Sequence, residues 1–239
     1  MSQGAFGKVV KGSSVATSQA VAIKIVRESG QDIKGSMHEA IVWSQMHHVG
    51  VAKLLDYWRV EDEHRLIMEW SGFSLEALRE ARSLTTSPQI RTIASHIVAA
   101  LGHIHHRDVV HNHISSGTVL FDASDGPHGR AKLTDFASAG VKINKTGFAT
   151  STGRDDSAEP SRRWYRPPEI LLGLPGPDFS TDIWSFSCVF GELVTGAVLF
   201  PGVTDADIYV ATLGFFFVRL TWPFWSPISF VRPERIPSQ

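Results

Sequence analysis

The sequence predicts an α+β chain, strands first and helices after, and three observations carry that prediction. Before residue 70, β-branched runs such as "KVVKG" and "QAVAIKIV" are split by Gly and Ser turns, as short strands are. After residue 70, apolar residues recur every three or four positions, most clearly in "SPQIRTIASHIVAALGHIHH". From 214 onward neither period holds, and aromatics crowd against prolines in "FFFVRLTWPFWSPISFVRPERIPSQ".

Each element follows from its own residues. "SMHEAIVWSQMH" places Met37, Ile41, Val42 and Met46 on one helical face, and "AKLLDYWRV" and "HRLIMEW" then read as a strand pair. In the long helix after residue 86, Ser87 is the expected N-cap and Pro88 the first helical residue. Ile90, Ile93, Ile97, Leu101 and Ile104 follow at helical spacing, so this helix is expected to be buried. "STDIWSFSCVFGELVTG" predicts a second, more uniformly apolar helix that Gly196 ends. The polar segment 137–163 between them is too long for a plain connector. The expected organisation is a β-rich part over 1–70, a helical part over 71–213 and an atypical tail over 214–239.

Composition narrows the function classes. A formal charge of -1 without a basic face disfavours nucleic acid as a partner. Cys188 is the sole cysteine, which excludes an internal disulfide and fits a reducing compartment. The start, "MSQGAFGKVV", lacks the apolar core of a signal peptide. The nearest approach to a membrane span, "LGFFFVRLTWPFW" at 213–225, is too short and is broken by Arg219 and Pro223. A cytoplasmic or nuclear location, away from membranes, is expected.

Three short stretches carry chemistry. "GAFGKVV" puts Gly4 and Gly7 in a turn before a strand, which by itself fits a plain hairpin better than a phosphate cradle. In "VAIK", Lys24 lies mid-strand among apolar residues, where an unpaired ammonium is unfavourable. It either snorkels from an edge or takes a carboxylate partner, and Glu39 on the next helix is available. "KLTDFASAG" sets Asp135 just after a short strand, where a Mg²⁺-binding carboxylate belongs.

In this order, from residue 2 to about 213, the motifs resemble the protein kinase superfamily. "RRWYRPPEILLG" is similar to the end of an activation segment, here 135–169, and "TDIWSFSCVFGELVTGAVLFPG" to the helix that anchors the large lobe. The "WYRPPE" and "LFPG" strings look most like the cyclin-dependent kinase branch of the CMGC group. The resemblance implies a two-lobed fold, a β-rich small lobe and a helical large lobe, incomplete at both ends. It implies ATP and Mg²⁺ as cofactors: Gly4 and Gly7 over the phosphates, Lys24 on them and paired with Glu39, Asp135 on the metal. Val9, Ala22 and Leu120 would sandwich adenine, Met68 would stand as gatekeeper, and Glu69 and Trp70 would form the hinge. Trp43, Leu54, His111 and Phe136 would stack as the regulatory spine.

The catalytic loop poses a choice of register. His106-Arg107-Asp108 spells the kinase HRD triplet, but the second magnesium ligand would then fall on His113 and a buried strand on Ile114-Ser115. Aligning "VVHNHISSGTVLFD" with the family loop instead satisfies every apolar position without a gap. On that register the base position holds His113, the arginine position Asn112, the lysine position Ser115 and the second metal ligand Thr118. Ala137 replaces the glycine after Asp135-Phe136, and Arg162 replaces the threonine of the substrate-docking loop.

Three readings follow: a pseudokinase that binds ATP and docks protein partners, a weakly active Ser/Thr kinase using His113 as base, and a truncated product without a stable fold. Ser2 stands for the first loop glycine, and the large-lobe helices expected after Pro201-Gly202 give way to the aromatic tail. Glu169 thereby loses its expected arginine and would be a buried, unpaired carboxylate. "IKGSMHEA" lacks the recognition sequence of cyclin-binding kinases, so a cyclin is not the expected partner. Ser157 lies near the activating-phosphate position, yet Asn112 removes the arginine that would receive it. The run His103, His105, His106, His111, His113 mixes a helix end with a loop and brings no cysteine, which disfavours a metal site.

Overall fold

The computed structural model describes residues 2–4, 7–27, 32–83, 86–142, 148–150, 160–174 and 176–221. The first third forms a five-stranded antiparallel sheet of β1 (Ser2–Gly4), β2 (Gly7–Ser13), β3 (Ala20–Arg27), β4 (Leu54–Val60) and β5 (Glu63–Glu69), ordered β1-β2-β3-β5-β4. Helix α1 (Asp32–Ser44) crosses between β3 and β4. Register decides which side chains meet beneath this sheet. Val9 lies opposite Lys24, Lys11 opposite Ala22, and Ala22 opposite Met68. Cross-strand partners share a face, so these residues line one surface together. On α1, Ser36, Glu39, Ala40 and Trp43 are buried at helical spacing while Met37 and Ile41 are exposed.

The helical part begins with β6 (Phe73–Ser74), α2 (Leu75–Glu80) and α3 (Ser87–His105). Thr86, one residue earlier than expected, is the N-cap of α3, and its backbone N–H donates to Gln89 Oε1 at 2.8 Å in a capping box. Ile93, Ile97, Leu101 and Ile104 are fully buried, as their spacing predicts. After α3 come β7 (Val109–Val110), β8 (Val119–Asp122), β9 (Arg130–Leu133), β10 (Gly140–Lys142) and β11 (Phe148–Thr150). They form two three-stranded sheets, β6-β8-β9 and β11-β10-β7. The long polar segment contributes β10, β11 and α4 (Pro160–Arg163), and α5 (Pro168–Leu171) follows.

Helix α6 (Phe179–Thr195) packs on α3, starts on Asp178, which accepts from Ser180 N, and ends at Gly196 with φ 76°. Cys188 is buried in it, its thiol pushed up to about 12 by burial and then by the charge of Glu192. Helix α7 (Asp205–Thr221) opens on a reciprocal cap between Thr204 and Asp207. It runs through position 214, so the expected boundary between helical part and tail falls inside a helix. Ile208 and Thr212 are buried at i and i+4, which continues the amphipathic face that the aromatic composition hides. Glu169 is only partly buried, which departs from the expected buried carboxylate. The remainder of the tail and Ser157 lie outside the described residues. None of the helices in the described part is long and apolar enough to cross a membrane. The architecture is a β-rich small lobe joined to a helical large lobe.

Candidate active site

A cleft of about 610 Å³ lies between the sheet face and the β6-β8-β9 sheet. Val9, Ala22, Met68, Trp70 and Leu120 line its apolar end. Trp70 packs edge-on against Phe73 at 5.4 Å between ring centres, and the Lys11 ammonium sits 4.2 Å from the Trp70 ring. The hinge turns at Gly72, whose φ is 86° and where a Cβ would collide with the Phe121 carbonyl; only glycine fits there. The Glu69 carboxylate is taken by Lys53 N at 2.8 Å and Lys132 Nζ at 2.6 Å. Gly4 and Gly7 face each other across the β1–β2 hairpin.

At the other end, Lys24 takes its carboxylates. Its Nζ lies 2.8 and 3.0 Å from the two Glu39 oxygens and 2.6 Å from Asp135 Oδ1. Burial alone would lower its pKa, but the charges of Asp135 and Glu39 prevail and hold it above the ordinary lysine value. Asp135 shows the converse. Burial would raise its pKa, yet Lys24, then His113 and Arg162, hold it well below the usual carboxylate range. Its φ of 68° is rare for a residue with a side chain, which marks a position held by its surroundings.

The two registers of the catalytic loop put Asp108 or His113 at the base position, and the two residues lie in different places. Asp108 closes the turn that ends α3, its N–H donating to His105 O at 3.0 Å. Its side chain is 63% exposed and, among the described residues, pairs with Lys142 at 3.8 Å. His113 lines the cleft beside Asp135. The HRD string is therefore a helix terminus, and the loop runs from His111. Asp182 pins that loop: Oδ2 accepts from His111 N and Oδ1 from Asn112 N, both at 2.8 Å, and His105 Nε2 lies 2.8 Å from Oδ2.

His111 packs rather than reacts. Its ring is 4.8 Å from Phe136, which is 5.6 Å from Trp43, a continuous buried stack linking α1 to the loop. Leu54 is partly buried against the same core. His111 Nε2 donates to Thr134 O at 3.1 Å and Nδ1 accepts from His113 N at 3.3 Å, a pattern that assigns the neutral ring. Burial pushes its pKa down to about 4. Because the unfolded chain would protonate this ring near 6.5, stability is complete above that pH and is lost as pH falls from there toward 4. Between pH 7.5 and 5.5 His111 is expected to remove about 1 kcal/mol. Denaturant titrations at the two pH values should show that increment in the parent chain and not in His111→Gln.

The positions that would serve phosphoryl transfer are occupied by other contacts. His113 Nδ1 lies 3.2 Å from Asp135 Oδ2, poorly aligned for a hydrogen bond. Thr118 Oγ1 accepts from Ser115 N at 3.0 Å and donates to His113 O at 2.9 Å, so this hydroxyl closes the loop on itself. Arg162 enters the cleft, its Nη2 3.8 Å from Asp135 Oδ2 and its side chain 6% exposed. Sequence reasoning marked Arg162 as a lost threonine and not as a member of the site; its position two residues before Trp164 was the available signal. It also missed Tyr165, whose hydroxyl donates to Glu192 Oε2 at 2.6 Å and lies 2.8 Å from Ser116 Oγ.

The pocket fits a purine nucleotide: an apolar slot leads to a buried lysine. Magnesium fits less well. Asp135, the expected metal residue, already shares its oxygens with Lys24, His113 and Arg162, and Thr118, which stands where the second metal ligand would be, is spent within the loop. Among the described residues no group of three or more His, Cys, Asp and Glu is placed to hold a metal. The remaining histidines scatter: His103 faces His48 at 5.0 Å, and His105 contacts Asp182.

Comparison with known proteins agrees with this geometry. The protein kinase domain family matches residues 1–230. The chain is 28% identical to cyclin-dependent kinase D-1 of Arabidopsis thaliana, over 87% of this chain and 50% of that protein. It is 27% identical to cyclin-dependent kinase-like 4 of Mus musculus, over 89% of this chain and 60% of that protein. With CTD kinase subunit alpha of Schizosaccharomyces pombe the identity is 29%, over 84% and 33%. The chain thus spans between a third and three-fifths of these relatives' length. Its order of motifs, its two lobes and its relatives in the cyclin-dependent kinase group agree: the chain belongs to the protein kinase family.

Proposed function

We infer that this chain is a nucleotide-binding pseudokinase that works by presenting its fold to protein partners. Protein kinases in general use ATP with Mg²⁺ and a carboxylate base. The observation that carries the reading is the replacement of that base by His113, whose nearest charged neighbour is Asp135 at 3.2 Å. A positioned general base contributes roughly 10²–10⁴ in rate. Ser115 and Thr118 remove a cation and a metal ligand as well, and these losses act on one step, so they do not simply multiply.

On the nucleotide side, Val9, Ala22, Met68, Trp70 and Leu120 supply the adenine slot, and Lys24, held by Glu39, supplies the phosphate contact. The partner class is protein. Some of the relatives are named for their dependence on cyclins, but "IKGSMHEA" in α1 gives no cyclin-recognition sequence, and a cyclin is not part of the proposal. Thermal unfolding with and without ATP tests the nucleotide half. At 100 times its dissociation constant the nucleotide should add about 2.7 kcal/mol to a cooperative transition. A cooperative melt indifferent to ATP and to adenosine would leave a scaffold without a ligand, and a non-cooperative melt would favour the reading of a truncated product.

A further inference from the structure

We propose that the polar end of the cleft takes the phosphates of a nucleotide without a divalent cation, with Arg162 supplying the positive charge. The proposal rests on the nucleotide reading above and goes beyond it to the form of the ligand. Its basis is the environment of Asp135. One oxygen lies 2.6 Å from Lys24 Nζ; the other lies 3.2 Å from His113 Nδ1 and 3.8 Å from Arg162 Nη2. A magnesium ion demands near-octahedral oxygen ligands and would compete with these nitrogen groups for the same carboxylate. Helix α2 adds Glu76 and Glu80 to the lining of the cleft, yet no three acidic or histidine side chains converge among the described residues.

Two cations stand beside Asp135 without a metal. Lys24 and Arg162 lie against it, and no second carboxylate accompanies it where the base would stand, because His113 is there. A polyphosphate entering this end of the cleft therefore meets two cationic side chains. Of the two, Arg162 brings a planar fork that can donate two parallel hydrogen bonds to phosphate oxygens.

Arg162 is held in place by its own segment. Next to it, Arg163 Nη1 donates to Val203 O at 3.1 Å, and Trp164 Nε1 donates to Gly202 O at 2.8 Å. These contacts tie α4 to the chain just before α7. With its side chain 6% exposed, Arg162 is a built part of the cleft and not a solvated arginine that happens to point inward.

The test titrates the full chain calorimetrically with ATP in EDTA, with ATP in excess Mg²⁺, and with adenosine as a phosphate-free probe. The parent chain, Arg162→Thr and Arg162→Lys are compared. ATP in EDTA should bind the parent at least as tightly as ATP with Mg²⁺. Arg162→Thr should weaken metal-free ATP about ten-fold or more while leaving adenosine unchanged. Arg162→Lys should recover most of that loss, which a merely misfolded variant would not do. The proposal is overturned if ATP binds only with Mg²⁺, or if Arg162→Thr leaves metal-free ATP binding intact. Adenosine binding with no gain from the phosphates in EDTA overturns this proposal alone. If neither adenosine nor ATP binds under any condition, the nucleotide reading falls with it.

Discussion

Replacing Lys24 with methionine is expected to destabilise the chain by about 3–5 kcal/mol, the usual effect of breaking a buried ion pair from one side. The Lys24 side chain is 8% exposed and that of Glu39 1%, so water cannot screen what is left. The variant withdraws the nearest cation from Glu39 and also from Asp135 at 2.6 Å. Chemical denaturation measures the loss. Removing the Glu39 charge as well, in Lys24→Met with Glu39→Leu, should recover part of it, because the more deeply buried carboxylate is then gone and only Asp135 remains without its lysine. If Lys24→Met is as stable as the parent, the pair is not desolvated and the inner end of the cleft is wetter than its geometry implies.

Asp182→Ala is expected to remove about 2–6 kcal/mol, since it orphans the buried N–H of His111 and the partly buried N–H of Asn112, each worth about 1–3 kcal/mol without an acceptor, the partly buried one toward the lower end. Asp182 is fully buried, and both of its oxygens are used. Amide hydrogen exchange adds a site-specific readout: protection at His111 and Asn112 should collapse in Asp182→Ala and survive in part in Asp182→Asn, which keeps one acceptor. Unchanged protection at both amides would mean that the loop is held by the His111–Phe136–Trp43 stack alone.

Much of the scaffold was legible because it is periodic. The spacing of Ile93, Ile97, Leu101 and Ile104 marked α3, and Gly196 marked the end of α6, since helix burial and left-handed caps both leave a plain residue signature. The loop register was legible for a similar reason: Val109, Val110 and Ile114 are buried, so the apolar pattern outweighed the HRD spelling, and Asp108 lies outside the cleft. Less legible were contacts with no period. Arg162 reaches Asp135 across 27 residues of sequence, and nothing local distinguishes an arginine that enters a cleft from one that leaves it. Tyr165 and Glu192 meet through tertiary packing in the same way. The error at residue 214 came from the opposite cause: a run of Phe masks helical periodicity because every face looks apolar.

On the proposed reading, this member of the kinase family holds a nucleotide without transferring its phosphate. The most direct measurement is a single-turnover assay with γ-labelled ATP at saturating protein, Ser/Thr peptide acceptors present, in Mg²⁺, Mn²⁺ and EDTA, alongside His113→Ala. The account predicts bound nucleotide and no label transferred above the no-protein background in any condition. Transfer approaching the roughly 1–100 s⁻¹ of active kinases, or any slower transfer that His113→Ala abolishes, would contradict it and identify His113 as a working base.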